Sequence, residues 1–283
     1  MKSFKLIFLC IATILIVQNA RAGFPIGKGR WLLVPTFNHY VATSYWDNGR
    51  NLNDFSKTGN AKFVSNYFGL YGGYGINRDW EFVFKLPFIS NRYVDTGYLE
   101  QNTGFGDVNL GITYYLSHYD YYRHLSLTGT LIIPFYHNDT TNLKHTLLGY
   151  GVMGIEGKLA YAGTNQNFLK KTFYDLEFGV RQYFATEGPT QLFTNLTFGV
   201  PIDENWKIAG TLRGVTSSSP YQTLNANLVT AQVNRDFDYL RFELAGGVKA
   251  TRSTSIWASV YTDLIGRHIG KGSGYSLFAV IKF

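Results

Sequence analysis

His124-Leu125-Ser126 sets an imidazole and a hydroxyl two residues apart, the spacing that turns both to one face of an extended strand. Such a pair could supply a base and a nucleophile. Activating a serine also needs the base within hydrogen-bond reach and a third group to orient it. No Asn or Asp is placed for that part, so the pair reads as polar lining and the chain as non-enzymatic. His137, Asn138 and Asp139 offer a second cluster of polar groups, but the 6 histidines are scattered without metal-ligand spacing. They read as solvated loop residues, and neither a metal nor a cofactor is expected.

The chemistry that does form a pattern is ionic. Glu81, Lys85, Asp107, Glu156, Lys158, Asp175, Glu177, Arg181, Lys207, Arg213, Arg241, Glu243 and Lys249, with Lys282, sit in stretches that alternate with apolar positions. These charges are the candidate lining of an interior lumen. Two roles follow: they could orient polar solutes in a water-filled pore, or pair across a narrow lumen and satisfy one another.

The elements that position them are strands. Trp80, Phe82, Phe84, Leu86 and Phe88 alternate with Glu81, Val83, Lys85 and Pro87; Leu240, Phe242, Leu244, Gly246 and Val248 alternate with Arg241, Glu243, Ala245, Gly247 and Lys249. Arg or Lys on a lipid-facing side would cost about 2–4 kcal/mol at the midplane, so in a membrane barrel the charges must point inward. Strands are expected at 30–46, 62–75, 80–91, 104–117, 124–135, 148–161, 171–184, 191–201, 206–216, 239–250, 255–265 and 275–283. That makes an all-β antiparallel transmembrane β-barrel of about 12 strands, with a range of 10–14 because Leu224–Phe237 could add one. Short turns are expected at 77–79, 202–205 and 251–254, and longer outer loops near 47–61, 92–103, 136–147, 217–238 and 266–274. Twelve strands lie between about eight, which side chains fill, and about sixteen, which leave an open channel, so width leaves both roles of the charges open.

The ends of the chain agree with a membrane address. Lys2 and Lys5 precede an apolar run from Leu6 to Val17, and Ala20-Arg21-Ala22 has the small residues of a cleavage site. Residues 1–22 are therefore expected to be a cleaved signal peptide, and 23–283 one barrel domain. Cys10, the only cysteine, would leave with the signal. Gly23-Phe24-Pro25-Ile26-Gly27-Lys28 is expected as a periplasmic tail in preference to a plug. The net charge of +7 would suggest nucleic acid in the cytosol; export turns that reading toward lumen chemistry and contact with lipopolysaccharide. Aromatic residues make up 17% of the chain, as interfacial girdles require, with Trp31, Tyr45, Trp46, Trp80, Tyr114, Tyr161, Trp206 and Phe283 near strand ends. Tyr275, Leu277, Ala279, Ile281 and Phe283 form a closing apolar face of the kind that the outer-membrane assembly machinery recognises.

Gly104-Phe105-Gly106-Asp107-Val108-Asn109-Leu110-Gly111 resembles the Gly-x-Gly-Asp-x-x-Leu-Gly signature of the outer-membrane family named for the MetA (meta-cleavage) pathway of phenol degradation. Trp80-Glu81-Phe82 through Leu86-Pro87-Phe88, Leu131-Ile132-Ile133-Pro134 and Gly266-Arg267 resemble the same family. The resemblance implies a barrel that transports small hydrophobic or aromatic compounds. A closed structural barrel with binding loops, and a lipid-active enzyme using Ser126, are the competing expectations.

Overall fold

The computed structural model describes residues 25–54, 61–119, 122–136, 146–165, 172–185, 188–219 and 235–283. The expected signal peptide, the cluster His137, Asn138 and Asp139, and nearly all of Leu224–Phe237 lie outside them. The strands are β1 (Trp31–Trp46), β2 (Leu52–Asp54), β3 (Lys62–Gly75), β4 (Trp80–Asp95), β5 (Tyr98–Phe105), β6 (Asp107–Tyr119), β7 (Arg123–Pro134), β8 (Gly154–Asn165), β9 (Thr172–Tyr183), β10 (Thr190–Pro201), β11 (Trp206–Ser218), β12 (Phe237–Lys249), β13 (Thr254–Arg267) and β14 (Ile269–Lys282).

Neighbouring wall strands pair antiparallel in chain order, and β1 pairs with β14 to close the ring. At the seam Trp31 and Phe283 exchange both backbone hydrogen bonds, at 2.8 and 3.1 Å. Closure satisfies the ladder groups of both edge strands, as backbone surrounded by hydrocarbon requires. The wall has 12 strands because β2 adds only three residues beside the end of β1, while β5 and β6 share one partner. Phe88–Asp95 of β4 pairs with β5, and Trp80–Lys85 with β6. The break falls at Pro87, which has no amide to donate; its carbonyl accepts the Gly106 amide at 3.0 Å.

The faces alternate as strand geometry demands. Leu244 is 47% exposed on the outer face and Ala245 beside it 9%. Leu110, Ile112, Leu131, Phe178, Leu192, Phe198, Val260 and Leu277 are also exposed. No helix occurs among the described residues, and the closed antiparallel ring matches the expected barrel. Two expected outer loops are different in detail: 92–103 is a tight hairpin turning at Thr96-Gly97, with Gly97 at φ 71°, and 266–274 is strand except at His268, φ 52°. Residues 148–153, expected as strand, instead precede β8 as an inward-folded loop in which Leu148 and Tyr150 are buried.

Candidate functional site

Among the described residues the lumen holds cavities of 1160 and 680 Å³. The larger reaches the turns at Glu204-Asn205 and Thr251–Ser253; the smaller lies against β4, β6, β7 and β8. Tyr71, Lys85, Asp175, Glu177, Asn195 and Arg213 line both, so these side chains form the partition between them.

The ion pairs run along the wall from strand to strand. Lys158 Nζ meets Glu177 Oε1 at 2.5 Å, Asn195 donates to Glu177 Oε2 at 2.8 Å, and Arg213 Nε donates to Asn195 Oδ1 at 2.9 Å. Arg213 also meets Glu243 at 3.6 Å, and Glu243 accepts the Ser259 hydroxyl at 2.6 Å. This belt crosses β8 to β13. Arg181 binds Glu156 through Nε and Nη2, at 2.9 and 2.6 Å, and lies 5.4 Å from the ring centroid of Phe193. Arg241 forks onto Asp263 at 2.7 and 3.2 Å and packs against the rings of Tyr40, Tyr239 and Tyr261. Pairs of this lateral kind satisfy the charges without filling the space between walls.

Of the candidate residues, Glu81, Lys85, Glu156, Lys158, Asp175, Glu177, Arg181, Lys207, Arg213, Arg241, Glu243 and Lys249 line one or both cavities, as does Lys282. Asp107 does not. Its carboxylate accepts the Tyr136 hydroxyl at 2.7 Å and holds the start of the inward loop, since Tyr136 in turn accepts the Gly151 amide at 3.0 Å.

That loop contributes to an apolar cluster at the strand ends farthest from Trp31 and Phe283: Trp46, Ile132, Tyr150, Tyr183, Phe237 and Ile269. Trp46, expected in an aromatic girdle, is 6% exposed and belongs to this interior layer. Trp31, Trp80, Trp206 and Phe283 are exposed at the opposite end, and Trp80 and Tyr114 lie 4.6 Å apart on neighbouring strands.

The segment ahead of β1 corrects the expected tail over its described residues. Ile26 is buried and lines the smaller cavity; its amide donates to Glu81 Oε1 at 2.5 Å, and the Gly29 amide donates to Gly75 O at 2.7 Å. A Cβ on Gly75 would collide with Gly27 O, and one on Gly73 with Ile26 Cδ1, so these glycines make room for the segment.

His124 and Ser126 both line the smaller cavity. His124 Nδ1 faces His118 Nδ1 at 3.2 Å, and His118 Nε2 faces Asp79 Oδ1 at 3.0 Å. The acid that sequence did not place is thus Asp79, and it contacts His118. At the same end of the barrel as the apolar cluster, Asp238 meets Arg50 and Arg267, each at 2.9 Å, and Arg267 also forks onto Asp236 at 2.8 and 2.9 Å. The Arg267 hydrogen bonds hold the Asp236 carboxyl below its ordinary pKa, against a smaller opposing effect of burial.

A closed ring of antiparallel strands with an oily exterior and a charged, cavity-bearing interior has the fold of outer-membrane β-barrels. An outer membrane channel from Pseudomonas putida F1 superposes with a TM-score of 0.68 at 15% identity, covering 90% of this chain and 96% of that one. The NanC porin gives 0.52 at 8% identity, over 88% and 100%, and the transport unit of the Escherichia coli autotransporter AIDA-I gives 0.51 at 8%, over 94% and 93%. At these identities the likeness is one of fold. No family model matches the sequence, and no curated protein matches it.

Proposed function

We propose that the protein is a channel of the bacterial outer membrane that passes small hydrophobic or aromatic molecules, exported with residues 1–22 as its signal. The observation that carries this reading is the lateral pairing of the lumen charges, which leaves cavities of 1160 and 680 Å³ on either side of a shared partition. In this reading the apolar layer around Trp46 and Tyr150 gives the extracellular end a surface that an oily solute wets better than an ion does. The likeness to a Pseudomonas putida channel and a porin, and the resemblance of 104–111 to the phenol-pathway family, support the same reading. In this reading the outer face contacts lipid and lipopolysaccharide, and the strand ending at Phe283 is the contact for the assembly machinery. The working parts are side chains of the lumen, and none of them is assigned catalysis.

Single-channel recording and liposome swelling with the purified chain test it. Discrete conductance, with swelling driven by small aromatic solutes, is the expected result; absence of both overturns it. The same outer apolar layer favours one alternative, a closed structural barrel whose loops bind surface polymers. Loop-dependent binding with no conductance is its signature.

A further inference from the structure

The larger cavity has one wall unlike the rest. Trp257 of β13 and Phe278 of β14 are Cα partners, their rings 5.9 Å apart with planes only 2° from parallel. The Trp257 ring lies over Gly247 of β12, where a Cβ would collide with Cδ2, Cε2 and Cε3, and its Nε1–H is fixed by Ser255 Oγ at 3.1 Å. The result is a flat, oriented apolar surface facing the cavity.

Lysines border it. Lys207 is the Cα partner of Gly247 on the side away from Trp257, so the ring reaches across one strand toward it. Lys249 stands two residues beyond Gly247 on the same face of β12, about 7 Å along the strand. Both line the cavity, and neither has an ion-pair partner among the described residues. The cavity as a whole is lined by seven Lys and Arg against four Asp and Glu, of which Glu177 and Glu243 are already engaged in the belt.

From this geometry we infer a binding site for a small organic anion with a flat apolar body, an aryl carboxylate being the simplest member. The ring lies on Trp257 and Phe278, and the carboxylate meets Lys207 and Lys249. Stacking takes apolar area out of water while the ammonium groups supply charge-assisted hydrogen bonds, so each half of the ligand reinforces the other. The inference rests on the channel reading and narrows it, because a solute that crosses the lumen would dwell at this wall.

Calorimetry on the full chain in detergent micelles tests the site, with benzoate, acetate and benzyl alcohol as probes. Benzoate is expected to bind at least about tenfold more tightly than either of the others, which each retain half of its chemistry. Trp257→Leu and Lys249→Gln should each weaken benzoate by about tenfold, and Lys249→Arg should restore part of the loss. Circular dichroism identifies any variant that has not folded; Lys207→Gln then replaces it in the comparison. Equal affinity for benzoate and acetate overturns the proposal, as does benzoate affinity indifferent to these substitutions. Bilayer recording on the same preparation separates the two readings. Conductance without benzoate binding refutes the site and spares the channel, whereas benzoate binding without conductance upholds the site and refutes the channel.

Discussion

The amide of Ile26 donates to Oε1 of Glu81 at 2.5 Å, tying a residue that precedes the first strand to the lumen side of β4. A hydrogen bond to a charged group contributes about 1.5–3 kcal/mol. Glu81→Ala removes that acceptor, and Gly75→Val forces a side chain into the space of Gly27 O. Both changes should release the segment and raise single-channel conductance about twofold or more, since the narrowest part of a pore sets its resistance. Unchanged conductance in both would mean that the segment does not obstruct the path.

Leu244 and Thr128 occupy opposite faces of the wall. Leu244→Arg puts a charge into hydrocarbon at a cost of about 2–4 kcal/mol near the midplane. Thr128 lines the smaller cavity and exchanges a hydrogen bond with Thr113 at 2.9 Å, so Thr128→Arg points toward water. Folded yield, read from the heat-dependent shift in electrophoretic mobility, should fall much further for Leu244→Arg. Equal yields would contradict the assigned orientation.

Lys158 and Glu177 form the tightest ion pair of the belt. Removing one member of a buried pair costs about 3–5 kcal/mol, with the lower end appropriate for a pair beside a cavity. Lys158→Met should therefore lower stability in urea titrations, and adding Glu177→Leu should recover part of the loss. A double variant less stable than the single would show that Asn195 and Arg213 depend on Glu177 more than Glu177 depends on Lys158.

Asp236 and Arg267 make the rim beside Arg50 sensitive to acid. Because the folded-state pKa of Asp236 is depressed, its stabilising contribution is complete above the ordinary carboxylate pKa and disappears as pH falls through the lowered value. Carboxyl carbon shifts followed against pH should give a midpoint below that of an unperturbed aspartate. Arg267→Gln should move the midpoint upward; a midpoint that does not move would remove the guanidinium as its cause.

Period-two alternation made the wall readable, since one side of each strand meets hydrocarbon and the other meets the lumen charges. It failed where parity changes. The register shift between Tyr115 and Ser117 brings His118 opposite His124, although counting from Thr113 turns His118 outward. Asp107 follows the break at Gly106 and is engaged by Tyr136 from beyond β7, a contact that no local pattern encodes. Arg92, Gln101 and Thr103 stand on the exposed face of the β4–β5 hairpin, where apolar residues would have extended the alternation, so 92–103 did not read as strand. The Ile26 contact was hidden because it depends on missing side chains, those of Gly73 and Gly75, in a strand far along the sequence.

The seam between Trp31 and Phe283 has a consequence for how the molecule can break. A cut at turn 202–205 severs the chain but leaves each strand with both neighbours, whereas loss of β14 deprives β1 and β13 together. Partial lengths accordingly carry two raw borders and no stable resting form in the bilayer. Integrity here belongs to the circuit, and the joint between the earliest and latest strands is held by backbone pairing alone, with no connecting turn across it.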